Sequence, residues 1–103
     1  MAQEQQEQQE QQRQDVQRRD DGWVLVEDGV EVARVAAEPA GDGVVALTHT
    51  STDPDRRGEG LAGLLVAGAL ADLRADDLRV RPDCPYVASW LEDHPDEKDL
   101  VAS

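Results

Sequence analysis

The segment Thr48–Gly63, THTSTDPDRRGEGLAG, carries more information about the fold than any other part of this chain. It follows the apolar, strand-like run Val44–Leu47 and passes through a polar loop into a glycine-rich turn that opens an apolar helix. Such a turn directs several backbone N–H groups and the positive end of a helix dipole at one point, which suits phosphate. The sequence therefore predicts that a phosphate-bearing ligand binds at this turn.

Hydrophobic periodicity and turn residues on either side of this segment predict a small α+β domain. Three strands come first and form an antiparallel meander, with strands starting at Trp23–Val26, then over Val30–Ala36, then over Val44–Thr50. Asp28 and Gly29 suit a tight hairpin turn, since both can take positive φ. A short fourth strand is predicted over Leu78–Arg81. The predicted order is β-β-β-α-β-α.

Two helices complete the prediction. The first, over Gly58–Arg74, carries leucines around most of its circumference, as expected for a helix buried on a sheet. Gly63 and Gly68 each cost this helix about 1 kcal/mol relative to alanine, so we expect other parts of the chain to approach it closely there. Pro85 starts the second helix and Pro95 ends it.

The N-terminal residues differ in composition from the rest of the chain. Residues 1–20 contain nine glutamines and almost no apolar side chain, so they are predicted to be a disordered tail, with the folded domain at residues 21–103. Five acids and three arginines in this tail leave −11 of the net charge of −13 on the domain. Such an acidic surface disfavours nucleic acid and anionic membranes as partners.

Other features bear on the compartment and on metal binding. The 103 residues contain no apolar run near the roughly 20 residues of a membrane span, and no signal-peptide pattern is present. The single cysteine, Cys84, cannot form an internal disulfide, so we expect a cytoplasmic protein. His49 and His94 are far apart in the sequence and, with one cysteine, give no metal-site spacing. No metal is predicted.

The glycine turn also matches a dinucleotide-binding pattern. Residues Gly58–Gly63 read G-x-G-x-x-G, and Asp77 stands about 20 residues further on, where a ribose-binding acid is expected. That motif should follow a strand directly within a βαβ unit, yet here a polar loop intervenes and three antiparallel strands come first. The chain is also too short for a doubly wound sheet. We therefore reject a dinucleotide-binding fold.

Shifted by one residue, the same turn reads Arg57-x-x-Gly60-x-Ala62. It then resembles the Gln/Arg-x-x-Gly-x-Gly/Ala signature of the GNAT N-acetyltransferases, and the chain resembles their small, single-domain members most. The shared motifs, in order, are His49-Thr50, Pro54, Arg57-Gly58-Glu59-Gly60, Pro82-x-Cys84-Pro85-Tyr86-Val87 and His94-Pro95-Asp96, so that the match covers roughly residues 22–101. Ser51-Thr52 departs from the family pattern, in which an acidic and an aliphatic residue stand there.

The resemblance implies a minimal GNAT-like fold that transfers acetyl from acetyl-coenzyme A to an amine. It implies that the third strand pairs with the pantetheine arm and that the turn holds the pyrophosphate. The cofactor-binding residues would be Thr50, Arg57, Gly58, Glu59, Gly60, Leu61, Ala62 and Gly63. The resemblance also places Cys84 near the thioester, as a catalytic acetyl acceptor or as part of the pocket wall.

The residues themselves leave the role of Cys84 open. At a helix N-terminus the positive end of the dipole favours the thiolate, but a small buried hydrophobic residue explains the cysteine equally well. His49 is expected on the strand face of Val45 and Leu47, with its ring in the helix layer or at a wall of the cleft. Tyr86 stands where it can donate a proton to a leaving thiolate, a role that tyrosine has in larger relatives.

Three functions are compatible with these features. The first is an acetyl-coenzyme A-dependent N-acetyltransferase acting on a small-molecule or peptide amine, and the acidic surface favours a cationic acceptor. The second is a non-catalytic coenzyme A or acyl-coenzyme A binding module, because larger relatives shape the acceptor site with N-terminal helices where this chain has glutamines. The third is an interaction protein that acts through its tail. The sequence does not determine the oligomeric state.

Overall fold

The computed structural model describes residues 14–102, which form one five-stranded sheet and two α-helices. The strands are β1 (Gln14–Arg19), β2 (Gly22–Glu27), β3 (Val30–Pro39), β4 (Val44–Thr52) and β5 (Arg79–Pro82). The helices are α1 (Leu61–Ala75) and α2 (Pro85–Asp93), with 3₁₀ turns at Pro54–Arg56 and Pro95–Leu100. The sheet order is β1-β2-β3-β4-β5, antiparallel except for the parallel pair β4–β5. The predicted α+β class and the order of elements from β2 onward are confirmed.

The strand β1 was not predicted. It falls within the segment assigned to a disordered tail, yet all six of its residues pair with β2. The prediction of disorder is therefore wrong for Gln14–Arg19, because β2 supplies the hydrogen-bonding partner and Val16 packs against the core. The rest of the predicted tail, residues 1–13, lies outside the described residues.

The turns and element boundaries follow local backbone conformation. Asp28 and Gly29 have φ of 51° and 85°, as predicted for their hairpin turn. The helix α1 begins at Leu61, three residues later than predicted, because Gly58 and Gly60 adopt left-handed φ of 86° and 79°. These two glycines turn the chain before the helix starts, where any residue with a Cβ is strained.

The core lies between one face of the sheet and both helices. Buried residues of this face, such as Trp23, Val35 and Leu47, form one cluster with side chains of α1 and α2. Val24 and Ala46 are also buried but lie outside this cluster. The indole Nε1 of Trp23 donates a hydrogen bond of 2.8 Å to Asp72 of α1. No helix within residues 14–102 has the length and apolar character needed to span a membrane.

The two glycines inside α1 mark close contacts, as expected. A Cβ at Gly68 would lie 2.7 Å from Cγ2 of Val16, so β1 rests directly on the helix there. A Cβ at Gly63 would lie 3.4 Å from Nε1 of Trp90, on α2. The loss of helix propensity at these two glycines is therefore offset by the close packing of β1 and α2 against α1.

Pairing between β4 and β5 ends early. β5 pairs with residues Val44–Leu47, and the final contact is a 2.8 Å hydrogen bond from the N–H of Cys84 to the carbonyl of Leu47. β4 continues to Thr52 while the other chain segment turns into α2. Beyond Leu47 this edge of β4 has no strand partner among the described residues, and the two segments diverge.

Candidate functional site

A cleft of about 550 Å³ opens where β4 and β5 diverge. Its wall is formed by the last residues of β4, by the glycine turn and by the first residues of each helix. The lining residues are His49, Thr50, Ser51, Thr52, Arg56, Arg57, Gly58, Gly60, Leu61, Ala62 and Tyr86. Six of the eight predicted cofactor-binding residues are among them, so the structure brings most of the predicted site together.

The N-terminus of α1 faces this cleft without a side-chain cap. Gly60 is the N-cap residue and has no side chain to accept a hydrogen bond. The first bond of the helix runs from the N–H of Leu64 to the carbonyl of Gly60, at 3.3 Å. The preceding N–H groups, those of residues 61–63, thus remain available for an external acceptor. The first turn of α1 also contains no acidic residue.

The two arginines of the turn behave differently. Arg57 is exposed, lines the cleft and has no ion pair with any residue in the described part of the chain. Arg56 is held between Glu27 and Glu59, with Nη2 2.8 Å from Glu59 Oε1 and 3.1 Å from Glu27 Oε2. The two carboxylates raise the pKa of Arg56 well above its ordinary value. Arg57 therefore has a charge available for a ligand, whereas Arg56 is already paired.

Two predicted residues, Glu59 and Gly63, do not line the cleft. The Glu59 carboxylate turns to Arg56 and accepts two bonds from its Nε, each of 3.0 Å. At Gly63 the missing side chain admits α2, since a Cβ would also lie 3.5 Å from the Tyr86 hydroxyl. Neither residue therefore faces the cleft with a side chain. Any contribution of Glu59 or Gly63 to ligand binding would come from its backbone N–H group.

A β-bulge at Thr48 decides which β4 side chains face the helices. Ala36 pairs with His49 and Ala37 with Leu47. Because successive residues of β3 point to opposite faces, His49 and Leu47 also lie on opposite faces. The prediction that His49 shares the face of Leu47 is therefore wrong, since simple alternation does not hold across a bulge. The ring is exposed and lines the cleft, which was the other expected placement.

Beyond the bulge, Thr50 faces the helix layer and contacts Cys84. Thr50 pairs with the buried Val35, and its Oγ1 lies 3.3 Å from the Cys84 sulfur. Cys84 is 5% exposed, is the N-cap residue of α2 and does not line the cleft. It therefore reaches the cleft through its contact with Thr50 rather than directly.

The environment of Cys84 shifts its acidity in two opposing directions. Burial raises the pKa of the thiol, while polar contacts with the Thr50 hydroxyl and with the backbone N–H groups of Val87, Tyr86 and Thr50 lower it. The contacts prevail, and the pKa of Cys84 falls below its ordinary value of 9.0. This site thus combines the small buried cysteine and the helix N-terminal thiol that the sequence left as alternatives.

Some residues of the cleft were not predicted from sequence. Ser51 and Thr52 line it because β4 runs two residues further than expected. Arg56 lines it as well, and its adjacency to Arg57 in the sequence was the available signal. Tyr86, predicted from the sequence as a possible proton donor, also lines the cleft; it is 41% exposed, and burial of its ring raises the pKa of its hydroxyl. In residues 14–102, no three His, Cys, Asp or Glu side chains are grouped to hold a metal ion.

Comparison with known proteins identifies the family of this protein. A model of the GCN5-related N-acetyl-transferase family matches residues 22–100. The chain belongs to this family, and the resemblance inferred from the turn is confirmed. A search of curated protein sequences finds no match.

Solved structures of the same fold are similar to this chain. A GCN5-like protein from Staphylococcus aureus is 15% identical, with 86% of this chain and 88% of that one covered and a TM-score of 0.64. The ribosomal-protein-S18-alanine N-acetyltransferase from Escherichia coli is 18% identical, with 71% and 50% covered and a TM-score of 0.57. A GNAT family acetyltransferase from Brucella melitensis, in complex with acetyl-CoA, is 31% identical, with 67% and 50% covered and a TM-score of 0.54. The chain thus spans about half the length of the last two proteins.

Proposed function

We propose that this protein binds acetyl-coenzyme A in the cleft and transfers the acetyl group to an amine. The observation that carries the proposal is the uncapped N-terminus of α1, which faces the cleft beside Arg57, a residue without an ion pair among residues 14–102. Family membership supports acetyl transfer in general. The acetyl-CoA complex of the Brucella protein supports the choice of cofactor.

The residues present fit such a ligand. Backbone N–H groups over Gly58–Gly63 and the Arg57 guanidinium would hold the pyrophosphate, as helix N-termini hold phosphate elsewhere. The edge of β4 around Thr50, which has no strand partner within residues 14–102, would hydrogen-bond to the amide groups of the pantetheine arm. The cleft volume of about 550 Å³ lies within the range of small-molecule sites.

For the reaction, we propose that the amine attacks the thioester directly. Its nitrogen bonds to the carbonyl carbon, the carbon–sulfur bond breaks, and the coenzyme leaves as a thiolate that takes up the proton lost by nitrogen. Tyr86 lines the cleft and is a candidate relay, since its hydroxyl would give its proton to the thiolate and regain the one lost by nitrogen. The alternative route, through an acetylated Cys84, requires a sulfur that is only 5% exposed to reach the thioester. Burial of Cys84 therefore favours the direct route.

The decisive binding test is calorimetric titration with acetyl-coenzyme A. We expect Arg57→Gln to weaken binding roughly tenfold or more, as for loss of a hydrogen bond from a charged group. Arg19→Gln is the matched control, because Arg19 is also exposed but lies on β1, away from this cleft. Equal binding by both variants, or no binding by the wild type, would refute the assignment of the site.

Labelled acetyl-coenzyme A distinguishes the two chemical routes. In the direct route neither the wild type nor Cys84→Ala retains label on the protein, and both acetylate an amine. Label that persists on the wild type and is absent from Cys84→Ala would instead establish transfer through the cysteine. Spermidine and a lysine-rich peptide are suitable acceptors, since the acidic surface favours cations.

A second function, a non-catalytic coenzyme A binding module, has one observation in its favour. Both helices pack in one cluster with a single face of the sheet, whereas His49, on the opposite face, is exposed among the described residues. An acceptor approaching there would meet few surrounding walls. Tight binding of acetyl-coenzyme A, with no acetylated product from either acceptor, would favour the module over the enzyme.

A further inference from the structure

An acidic side chain lies within the very turn that is proposed to bind an anion. Glu59 stands between Gly58 and Gly60, and its backbone belongs to the set of N–H groups assigned to the pyrophosphate. A free carboxylate at this position would repel a diphosphate a few ångströms away. The turn therefore needs a means of suppressing that charge.

Arg56 provides it. The guanidinium Nε lies 3.0 Å from each Glu59 carboxylate oxygen, and Nη2 lies 2.8 Å from Oε1, so the pairing is in the fork geometry that arginine favours. The other side of the guanidinium meets Glu27, at the end of β2 and 29 residues earlier in the chain. Glu27 also accepts a 3.0 Å hydrogen bond from Gln14 on β1. Arg56 is thus held in place by the sheet while it pairs with the turn.

The burial of this group supports a defined arrangement rather than a mobile surface pair. The side chains of Arg56 and Glu27 are 29% and 17% exposed, whereas that of Glu59 is 45% exposed, so burial fixes Arg56 through its pair with Glu27. Hydrogen bonds from Arg56 and, to a smaller extent, from Gln14 lower the pKa of Glu27, which keeps it ionised as a partner for Arg56. Arg57, next in sequence, is left free to face the ligand.

We infer that Arg56 is a positioning residue of the coenzyme A site, which pairs with the Glu59 carboxylate so that the bound diphosphate meets no free carboxylate in the turn. This inference rests on the proposed function. Arg56 acts through Glu59, whereas Arg57 acts on the ligand itself. Removing Arg56 should therefore weaken binding only as long as Glu59 carries its charge.

The test is a double-mutant cycle read out as the Kd for coenzyme A by calorimetry. We expect Arg56→Gln to weaken binding roughly tenfold at low salt, as an uncompensated carboxylate near the phosphates would. The double variant Arg56→Gln/Glu59→Gln should recover to within about twofold of the wild type, and Arg56→Lys, which retains the charge, should remain close to it. The Arg56→Gln defect should shrink as salt is raised.

A matched control is available at the C-terminal end of α1. Arg74 is likewise held between two carboxylates, those of Asp99 and Glu97, but it does not line the cleft. Arg74→Gln should leave the Kd unchanged, while its thermal stability reports what loss of such a pair does to the fold. The same melts on the Arg56 variants separate weaker binding from partial unfolding.

The outcomes distinguish this inference from the function on which it rests. If the wild type does not bind coenzyme A, the proposed function fails and the inference with it. If the wild type binds but Arg56→Gln binds equally well, or if Glu59→Gln does not restore binding, then the role of Arg56 is refuted while the function stands. Recovery in the double variant alone, with no recovery of Arg57→Gln by Glu59→Gln, supports the inference.

Discussion

Replacing Gly68 by alanine should destabilise this protein, although the same change in an exposed helix ordinarily stabilises. Removing a mid-helix glycine gains about 1 kcal/mol of helix propensity. Here, however, the new Cβ would lie 2.7 Å from Cγ2 of Val16 and 2.9 Å from its Cβ and Cγ1. Overpacking of this kind costs about 1–3 kcal/mol, and a β-branched side chain has little freedom to move away.

The clash should outweigh the gain in propensity, leaving a net loss of about 1 kcal/mol in the free energy of unfolding. For a domain of this size, that loss corresponds to a fall in Tm of about 4–8 °C. Urea unfolding followed by circular dichroism gives the free energy, and a thermal melt gives Tm. Gly63→Ala serves as a comparison, because its Cβ would meet Trp90 at 3.4 Å and the surroundings need to give only slightly.

Val16, the residue that a Cβ at Gly68 would meet, provides the control. Val16→Gly removes all three close contacts, so in that background Gly68→Ala should change sign and stabilise by about 1 kcal/mol. If Gly68→Ala stabilises the wild type by the same amount, then β1 does not rest on α1. The account of Gln14–Arg19 as part of the fold would then be wrong, and the predicted tail would extend to residue 20.

Three further predictions concern charge and the thiol. The pKa values of Glu27, Asp83 and Asp99 lie below their ordinary values of 4.5, 3.8 and 3.8 because arginines pair with them. The stabilisation that these ion pairs give the fold is therefore present above the ordinary pKa values and is lost as the pH falls through the lowered ones. The urea concentration at the unfolding midpoint should drop below about pH 4, and it should fall less steeply with pH in Glu27→Gln. Thr50→Val removes a polar contact that favours the thiolate, so the pKa of the Cys84 thiol should rise. Alkylation of Cys84 by iodoacetamide near neutral pH should then be slower than in the wild type. An unchanged rate would contradict the 3.3 Å contact between Thr50 and Cys84. Raising salt from about 0.01 M to 0.15 M shortens the Debye length from about 30 Å to 8 Å. The higher salt should screen the repulsion between coenzyme A and the net charge of −13, and coenzyme A should therefore bind more tightly. Weaker binding by the wild type at the higher salt would show that attraction to Arg57 dominates.

The sequence predicted the parts of the fold whose signals are local. The hairpin at Asp28 and Gly29, the glycine turn before α1 and the start of α2 at Pro85 each depend on the conformational preferences of a few neighbouring residues. The strand β1 has no such signal, because its residues are mostly polar and exposed. It exists through pairing with β2 and through the contact of Val16 with Gly68. Contacts of that kind are invisible to periodicity.

The same limit explains the candidate site. The turn was predicted from its glycines, and Arg57 from its place in the family signature that the turn resembles. The pairing of Arg56 with Glu27 was not, since those residues are 29 positions apart and meet only after the sheet has formed. The place of His49 was wrong for a related reason. A bulge depends on how two strands match in length, and no single strand records it.

Two departures from regular pairing create the cleft that the turn then completes. β5 ends at Pro82, which has no N–H to continue the ladder with β4, so Cys84 makes the last bond to Leu47 and the chain enters α2. On the other side of the same point, the bulge at Thr48 turns Thr50 toward the helices and places it against Cys84. The edge of β4 is thereby left open over just those residues that precede the uncapped helix. Backbone groups of the β4 edge and of the uncapped helix N-terminus then lie within one continuous stretch of chain, which is the arrangement that the proposed ligand would require of so small a domain.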